Sequence, residues 1–462
     1  MKIAIVHDYI KEYGGAERVL EALHEIWPEA PVYTSVYLPD FLGPHKERFK
    51  NWDIKTSFLQ YISFKEKLIS PFRIIAPFMF KMFDLSKFDI VIVSATGAYF
   101  PNMIRTKKST VIARRKERAT RQSHTKQGIA SPLRGLAMTK REGAIHICYC
   151  HTPPRYLYGY ATAREWKKNL VFRVIGEIAN HFLRLIDFKS TQNVDYFIAN
   201  SQNVKARIKK FYRREAEVIY PPVDIALGSL RLFDESSGAI DNRSLSLAQA
   251  EFSKNASLKS SFKNSSQSKA RPAKNYYLAG GRLARPKHID LIVKACEELR
   301  VPLKVFGRGF GGYEKELGIS NQESGRNGHN SSFMIHNSYI DFVGEVTDKE
   351  KLELMRNAKA YIFAAEDEDF GITPVEAMSV GTPVIAYRSG GVVESIINGK
   401  TGLFFDELTV ESLAKAMKQF NNLSADRQDL TIDSDDCIKQ AQKFSKERFK
   451  REIKELVEQI AK

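Results

Sequence analysis

Short runs of consecutive apolar residues alternate with amphipathic stretches from the first residues of the chain. Residues 3–6 read as a buried strand, Tyr13-Gly14-Gly15 breaks the pattern, and a helix is expected from about Ala16 to about Ile26. Further buried strands are predicted at 89–94, 144–150, 195–199 and 217–220, with Asn200-Ser201 capping a basic helix through Lys210. A second series opens at 276–280 and continues through 303–306, 340–343, 360–363 and 383–387. Strands covered on both faces read as unbroken apolar runs, so each series predicts a doubly wound parallel sheet.

The two series divide the chain. Residues 1–222 are expected to form an amino-terminal domain, closed by Pro221-Pro222-Val223-Asp224, and 276–445 a carboxy-terminal one, followed by a charged amphipathic helix in 446–462. The expected fold class is α/β, two Rossmann-like domains facing a central cleft, because ligands of open α/β sheets bind outside the carboxyl ends of strands. At 462 residues one core would not suffice. Between the domains, 226–275 holds 12 serines in 50 residues. Such a stretch cannot bury enough apolar surface to offset its ordering entropy, so it is expected to be disordered, with a dispensable centre. A second polar loop is expected at about 319–338.

Charge changes the picture locally. The net charge of +17 is uneven: 107–142 holds 11 Lys/Arg against Glu117 and Glu142, a balance of +9. This basic insertion suits an anionic lipid surface, an acidic acceptor or RNA, or is simply a solvated segment. Four scattered cysteines form neither a zinc spacing nor a disulfide framework, which points to a reducing cytosol. The amino terminus enters a strand without signal-peptide features, and no run of about 18 apolar residues predicts a bilayer span. The expected location is cytoplasmic. Residues 68–83, apolar with cations, suit either peripheral contact with the anionic inner face of the membrane or a helix packed on the sheet.

Four stretches carry candidate chemistry. Gly14 and Gly15 lie between a strand and a helix start, where free N–H groups favour an anion; the spacing is not a dinucleotide fingerprint, and a double glycine taken alone is more often a tight turn. Gly280-Gly281-Arg282-Leu283-Ala284-Arg285-Pro286-Lys287 offers a planar fork at Arg282 and a point charge at Lys287 for a diphosphate. Glu366 through Glu376 includes Glu368 and Glu376. Thr373 as cap, Pro374 at the first helical position and Glu376 three after the cap predict a capping box, which is compatible with Glu376 binding a hydroxyl. Asp367-x-Asp369 resembles a metal-binding pair, discounted because cations already stand ready for phosphates. His151, in Tyr149-Cys150-His151-Thr152-Pro153-Pro154, is expected at a strand's carboxyl end, where imidazole can exchange hydrogen bonds with a sugar hydroxyl.

Together these motifs resemble glycosyltransferase family four, the retaining group 1 family with the GT-B fold. The most specific part is Glu368 through Glu376, similar to the family's Glu-x7-Glu motif, followed by Ala377-Met378-Ser379-Val380-Gly381-Thr382-Pro383. His7-Asp8-Tyr9, Gly14-Gly15-Ala16-Glu17-Arg18 and the His151 stretch look like the O-antigen branch that uses GDP-mannose. The resemblance implies that Arg282 and Lys287 stabilise the departing diphosphate. Glu368 would contact the donor sugar with the N–H groups of Phe370, Gly371 and Ile372 nearby, Glu376 would hold the ribose, and His151 would touch the transferred sugar. Gly14 and Gly15 would let the first domain close over the phosphates, and the loops holding Gly307 and Val346 would frame the nucleotide. No metal or other cofactor is implied, only the donor.

The implied activity is transfer of a hexose, with mannose from GDP-mannose favoured, to a lipid-linked or polysaccharide glycan. Two other classes compete. A nucleotide-sugar epimerase on the same fold would need no acceptor, and Glu-x7-Glu argues against it. A nucleic-acid-binding protein using 107–142 would leave Arg282, Lys287 and Glu368 unexplained, so no nucleic acid partner is expected.

Overall fold

The computed structural model describes residues 1–107, 143–162, 170–225, 274–310, 312–317, 339–425 and 432–461. The basic insertion beyond Lys107, all but the last two residues of 226–275, and the loop at 319–338 lie outside the described residues. Two compact units are present. The first comprises Met1–Tyr158, Arg173–Asn200 and Val204–Ile219; the second comprises Gly159–Phe172, Ser201–Asn203 and Tyr220–Lys462.

The first unit is built on seven strands: β1 (Ile3–His7), β2 (Val32–Thr34), β3 (Ile54–Thr56), β4 (Ile90–Ala95), β5 (Ile145–Cys150), β6 (Tyr196–Ala199) and β7 (Glu217–Val218). Their order is β3-β2-β1-β4-β5-β6-β7, with every pairing parallel. Helices α1 (Gly15–Ile26), α2 (Ala76–Lys81), α3 (Arg155–Tyr158), α4 (Leu170–Thr191) and α5 (Gln202–Tyr212) connect them. β1 and β4 are buried at every position, as strands covered on both faces must be. Each fully buried Ile or Val there contributes about 1.5–3 kcal/mol.

The second unit carries β8 (Tyr277–Gly280), β9 (Leu303–Phe306), β10 (Ile340–Gly344), β11 (Tyr361–Phe363), β12 (Val384–Tyr387) and β13 (Gly402–Phe405) in the order β10-β9-β8-β11-β12-β13. All pairings are again parallel. Its helices are α6 (Ile289–Leu299), α7 (Tyr313–Glu316), α8 (Asp348–Asn357), α9 (Ile372–Ser379), α10 (Val392–Ser395), α11 (Val410–Ala425), α12 (Ser434–Gln442) and α13 (Lys446–Ala461). In both sheets the strand order reverses direction once, between β1 and β4 and between β8 and β11. Loops leaving the carboxyl ends at such a reversal diverge to opposite faces and open a crevice.

Three strands escape the sequence pattern: β2 and β3 are only three residues long, and Gly402 opens β13. Residues 68–83 do not form one helix. They make a 3-10 turn at Pro71–Ile74 and the short α2, with a proline near the start of each, since proline removes a donor and is tolerated only in a first turn.

Candidate functional site

In the second unit the loops after β8 and β11 bring two of the expected residues together. Lys287 Nζ donates to Glu368 Oε2 at 2.5 Å, and the ammonium also lies 4.8 Å from the Phe363 ring centroid. Both side chains remain partly open to solvent. Arg282 is exposed, with its guanidinium 5.1 Å from the Phe310 ring centroid, so the two cations engage different partners.

Glycines set the backbone here. Gly281 and Gly307 sit at φ +107° and +122°, and a Cβ on Gly307 would fall 1.8 Å from the Gly281 carbonyl oxygen. The loops after β8 and β9 can therefore meet only without side chains, and Gly307 N–H donates to Gly344 O at 2.7 Å. Val346 follows in the turn leading to α8, half-buried.

Glu376 departs from the expected capping box. α9 begins at Ile372 and its cap is Gly371, in the left-handed region at φ 87°, with no side chain capping the helix. Thr373 and Pro374 are already inside, and Glu376 lies in the second turn, out of reach of a cap. A glycine free to adopt positive φ ends the loop two residues earlier than the Thr-Pro signal suggests. Glu376 is buried and paired with Lys351 of α8 at 2.8 Å. The Phe370 side chain is core, packed on Phe444, which leaves its backbone as the available contact. Gly371 and Ile372 present an N-terminus without a side-chain cap, suited to an anion or a sugar oxygen.

Sequence reasoning missed the support beneath Glu368. Gly391 N–H donates to Glu368 O at 2.7 Å, and a Cβ on Gly390 (φ +69°) would lie 2.2 Å from that oxygen. The signal was a double glycine between a strand and a helix start, as at Gly14-Gly15. Lys351, the partner of Glu376, carried no sequence signal. Asp367 sits at φ 52° with its N–H on Ser389 Oγ. Among the described residues no group of three or more His, Cys, Asp or Glu side chains converges as a metal set.

In the first unit, the carboxyl ends of β1, β4 and β5 line up three buried polar side chains. Ser94 Oγ lies 3.1 Å from His7 Nδ1 and 2.9 Å from His151 Nε2. Glu17 of α1 holds Gly14 N–H at 2.9 Å with one oxygen and places the other 3.7 Å from His7 Nε2. That carboxylate favours a proton on His7 Nε2, which makes His7 Nδ1 an acceptor for the Ser94 hydroxyl. Ser94 in turn accepts from His151 Nε2–H, so His151 Nδ1 carries a lone pair. Burial pushes the His151 pKa down to about 3, so the ring is neutral. Gly14 caps α1 and Gly15 opens it.

The His151 loop is held stiffly. Buried Arg207 donates to Thr152 Oγ1 at 3.2 Å, and Gly97 (φ +76°) lies where a Cβ would be 2.6 Å from Thr152 O. Beneath it Asp187 of α4 accepts from Tyr158 at 2.8 Å, and burial pushes its carboxyl up to about 7. Burial also raises Asp8, whose Oδ2 accepts from Thr96 N–H at 2.6 Å.

Residues 260–444 match the family model described as Glycosyl transferases group 1. An alpha-1,3/1,6-mannosyltransferase ALG2 of Rhizomucor pusillus is 30% identical over 159 residues, 28% of this chain and 34% of that protein. The ALG2 protein of Candida glabrata is 25% identical over 287 residues, 54% of this chain and 52% of its own length. A mannosylfructose-phosphate synthase of Agrobacterium fabrum is 32% identical over 147 residues, 30% of this chain and 31% of that protein. The matched part thus spans only about a third to a half of these relatives.

Among solved structures, sucrose-phosphate synthase of Thermosynechococcus elongatus superposes with a TM-score of 0.59 at 16% identity, covering 100% of this chain and 99% of that one. Anabaena Alr3699/HepE, solved with UDP-glucose, gives 0.56 at 16% identity, covering 99% and 100%. At such identity the likeness speaks for the fold alone: two parallel-sheet α/β units of the GT-B kind, as the sequence predicts.

Proposed function

We infer, from a chain whose residues 260–444 match the group 1 glycosyl transferase model, an enzyme that moves a hexose from a nucleotide donor to a glycan acceptor. The observation carrying this reading is the Lys287–Glu368 pair at the reversal point of the second sheet, beside a helix start with no side-chain cap. Breaking an anomeric bond builds positive character on the sugar and negative charge on the diphosphate, and preorganised groups of opposite sign lower that barrier.

In this proposal Arg282 and Lys287 meet the diphosphate in place of a metal. Glu368 turns to the sugar hydroxyls, the N–H groups of Phe370, Gly371 and Ile372 lie alongside, and Glu376, fixed by Lys351, holds the ribose. In the second unit Gly307 and Val346 frame the nucleotide; in the first, Gly14 and Gly15 offer a helix start to an anion and His151 offers its Nδ1 lone pair to a sugar hydroxyl. The family resemblance implies same-face substitution: the bond from the anomeric carbon to phosphate breaks, the bond to the acceptor oxygen forms, and the acceptor proton passes to the leaving phosphate oxygen.

The donor is proposed to be GDP-mannose. Support comes from the mannosyl activities named for three partial relatives and from the His7-Asp8-Tyr9 and His151 stretches. The acceptor is proposed to be a lipid-linked or polysaccharide glycan, placing the enzyme on the cytoplasmic side of a membrane. The test supplies GDP-mannose labelled in the sugar, chelator and a polyprenyl-diphosphate-linked glycan pool, and follows label into the lipid fraction. Transfer by the wild type and transfer lowered about 10²–10³-fold in Glu368→Gln are expected. Transfer from UDP-glucose alone would discard mannose, and wild-type transfer by Glu368→Gln would discard the site.

A further inference from the structure

Helix α4 buries one face and leaves the other uncovered. Leu183, Asp187 and Ser190 point into the first unit, whereas Ile175, Ile178, Phe182 and Leu185 are each 57–60% exposed. The spacing of three, four and three residues puts these four on one stripe of a 22-residue helix, about 33 Å long at 1.5 Å per residue. A second exposed apolar set, Phe64, Ile74, Phe78 and Met82 at 63–70%, comes from the turns and short helix within 58–82.

The two sets are neighbours through Tyr156. The Arg73 guanidinium lies 4.5 Å from the Tyr156 ring centroid, and Asn180 of α4 donates to Tyr156 O at 3.5 Å. Arg184 of α4 also donates to Leu157 O at 3.0 Å. Leu183 shares the core under the patch with Phe72, with Leu68 and Ile69 packed against it. Large apolar side chains exposed on two adjoining elements mark a candidate contact site.

Charge selects the partner. Within 58–82 and 173–189 the exposed charged side chains are Lys67, Lys81, Arg173 and Lys189, all cationic. The acids in these stretches are withdrawn: Glu66 and Glu177 are half-buried, and Asp187 is buried. A second copy meeting the same face about a twofold axis would set these cations against their own images. An anionic bilayer matches both halves of the surface, taking the apolar stripe below its headgroups and the cations among them.

We propose that the exposed face of α4, together with residues 58–82, lies in the interface of an anionic bilayer. The proposal extends the sequence-level expectation for 68–83 to a second element that the sequence pattern did not single out. It stands apart from the transfer reading, because vesicle binding is measured without donor or acceptor.

The experiment floats the full chain on a density gradient with vesicles of phosphatidylglycerol and phosphatidylcholine, or of phosphatidylcholine alone, at low and high salt. Three proteins are compared: wild type, Ile178→Ser with Phe182→Ser, and Lys67→Glu with Lys81→Glu. The changed side chains are exposed, so thermal melting of each variant should match wild type. Wild type should float with the anionic vesicles, and the serine pair should lower the bound fraction about tenfold. The charge-reversed pair should lose binding most at low salt. Failure of the wild type to float, undiminished floating of the serine pair, or equal binding to neutral vesicles would overturn the proposal. So would a concentration-dependent dimer that the serine pair abolishes, because a second copy would then be the occupant.

Discussion

Ser94 holds its hydroxyl oxygen 2.9 Å from His151 Nε2 and 3.1 Å from His7 Nδ1, joining the ends of three adjacent strands. Because Glu17 sets the proton on His7, the serine fixes which nitrogen of His151 carries hydrogen. In 15N-labelled protein, long-range proton–nitrogen correlation should report the Nε2–H form of His151, identified by its loss in His151→Gln. Ser94→Ala should mix the two neutral forms and lower transfer, with little change in donor affinity. A wild-type signal from the Nδ1–H form would reverse the assignment.

The ion pair of Lys287 and Glu368 gives the second prediction. Glu368→Gln should lower turnover by about 10²–10³ while leaving the melting temperature within a few degrees, since both side chains are partly solvated. Lys287→Ala should chiefly weaken donor binding. As the residues act on one ligand, the double variant should lose less than the product of the single losses. Full multiplicativity, measured as kcat/KM, would separate their roles.

Asp187 makes stability depend on pH. Its folded-state pKa is raised from about 3.9 to about 7 by burial, so the native state keeps a proton that the unfolded chain has lost. The stabilisation is present in full below pH 4 and disappears as pH rises through 7. Asp187→Asn removes this dependence. The melting-temperature difference, variant minus wild type, should therefore climb from pH 4.5 to 7.5 and flatten above 8. Parallel curves across that range would show that Asp187 titrates normally.

Gly307 tests the backbone of the proposed donor site. Gly307→Ala places a methyl group within 1.8 Å of the Gly281 carbonyl at a φ that L residues avoid. The substitution should cost about 2–4 kcal/mol in denaturant unfolding or force the two loops apart with loss of donor affinity. An unaffected variant would mean that the loops are not in contact.

Much of this architecture was legible because buried parallel strands leave an unmistakable mark. Residues 89–94 and 144–150 are apolar almost throughout, and the structure places β4 and β5 within a residue of those bounds. Short edge strands leave no such mark: Val32–Thr34 and Ile54–Thr56 take their conformation from the neighbour they pair with. Lys287 and Glu368 were each legible as loop residues following a strand, but their pairing was not, because nothing in an 81-residue separation states the distance. The cap of α9 was misread because Thr-Pro-x-Glu is a valid local signal, overridden by the positive φ available to Gly371. Ser94 was invisible as a site residue, lying in an apolar strand with partners 87 and 57 residues away.

The account turns on a nucleotide sugar seated at Arg282, Lys287 and Glu368 without a metal. The most direct measurement is thermal stability of the full chain in chelator with GDP-mannose, UDP-glucose, UDP-N-acetylglucosamine and ADP-glucose, repeated for Lys287→Ala. A ligand that binds only the folded state raises the melting temperature by mass action. The account predicts stabilisation by GDP-mannose in chelator that is lost in Lys287→Ala. Stabilisation by none of the four at millimolar concentration, or only after divalent metal is restored, would contradict it.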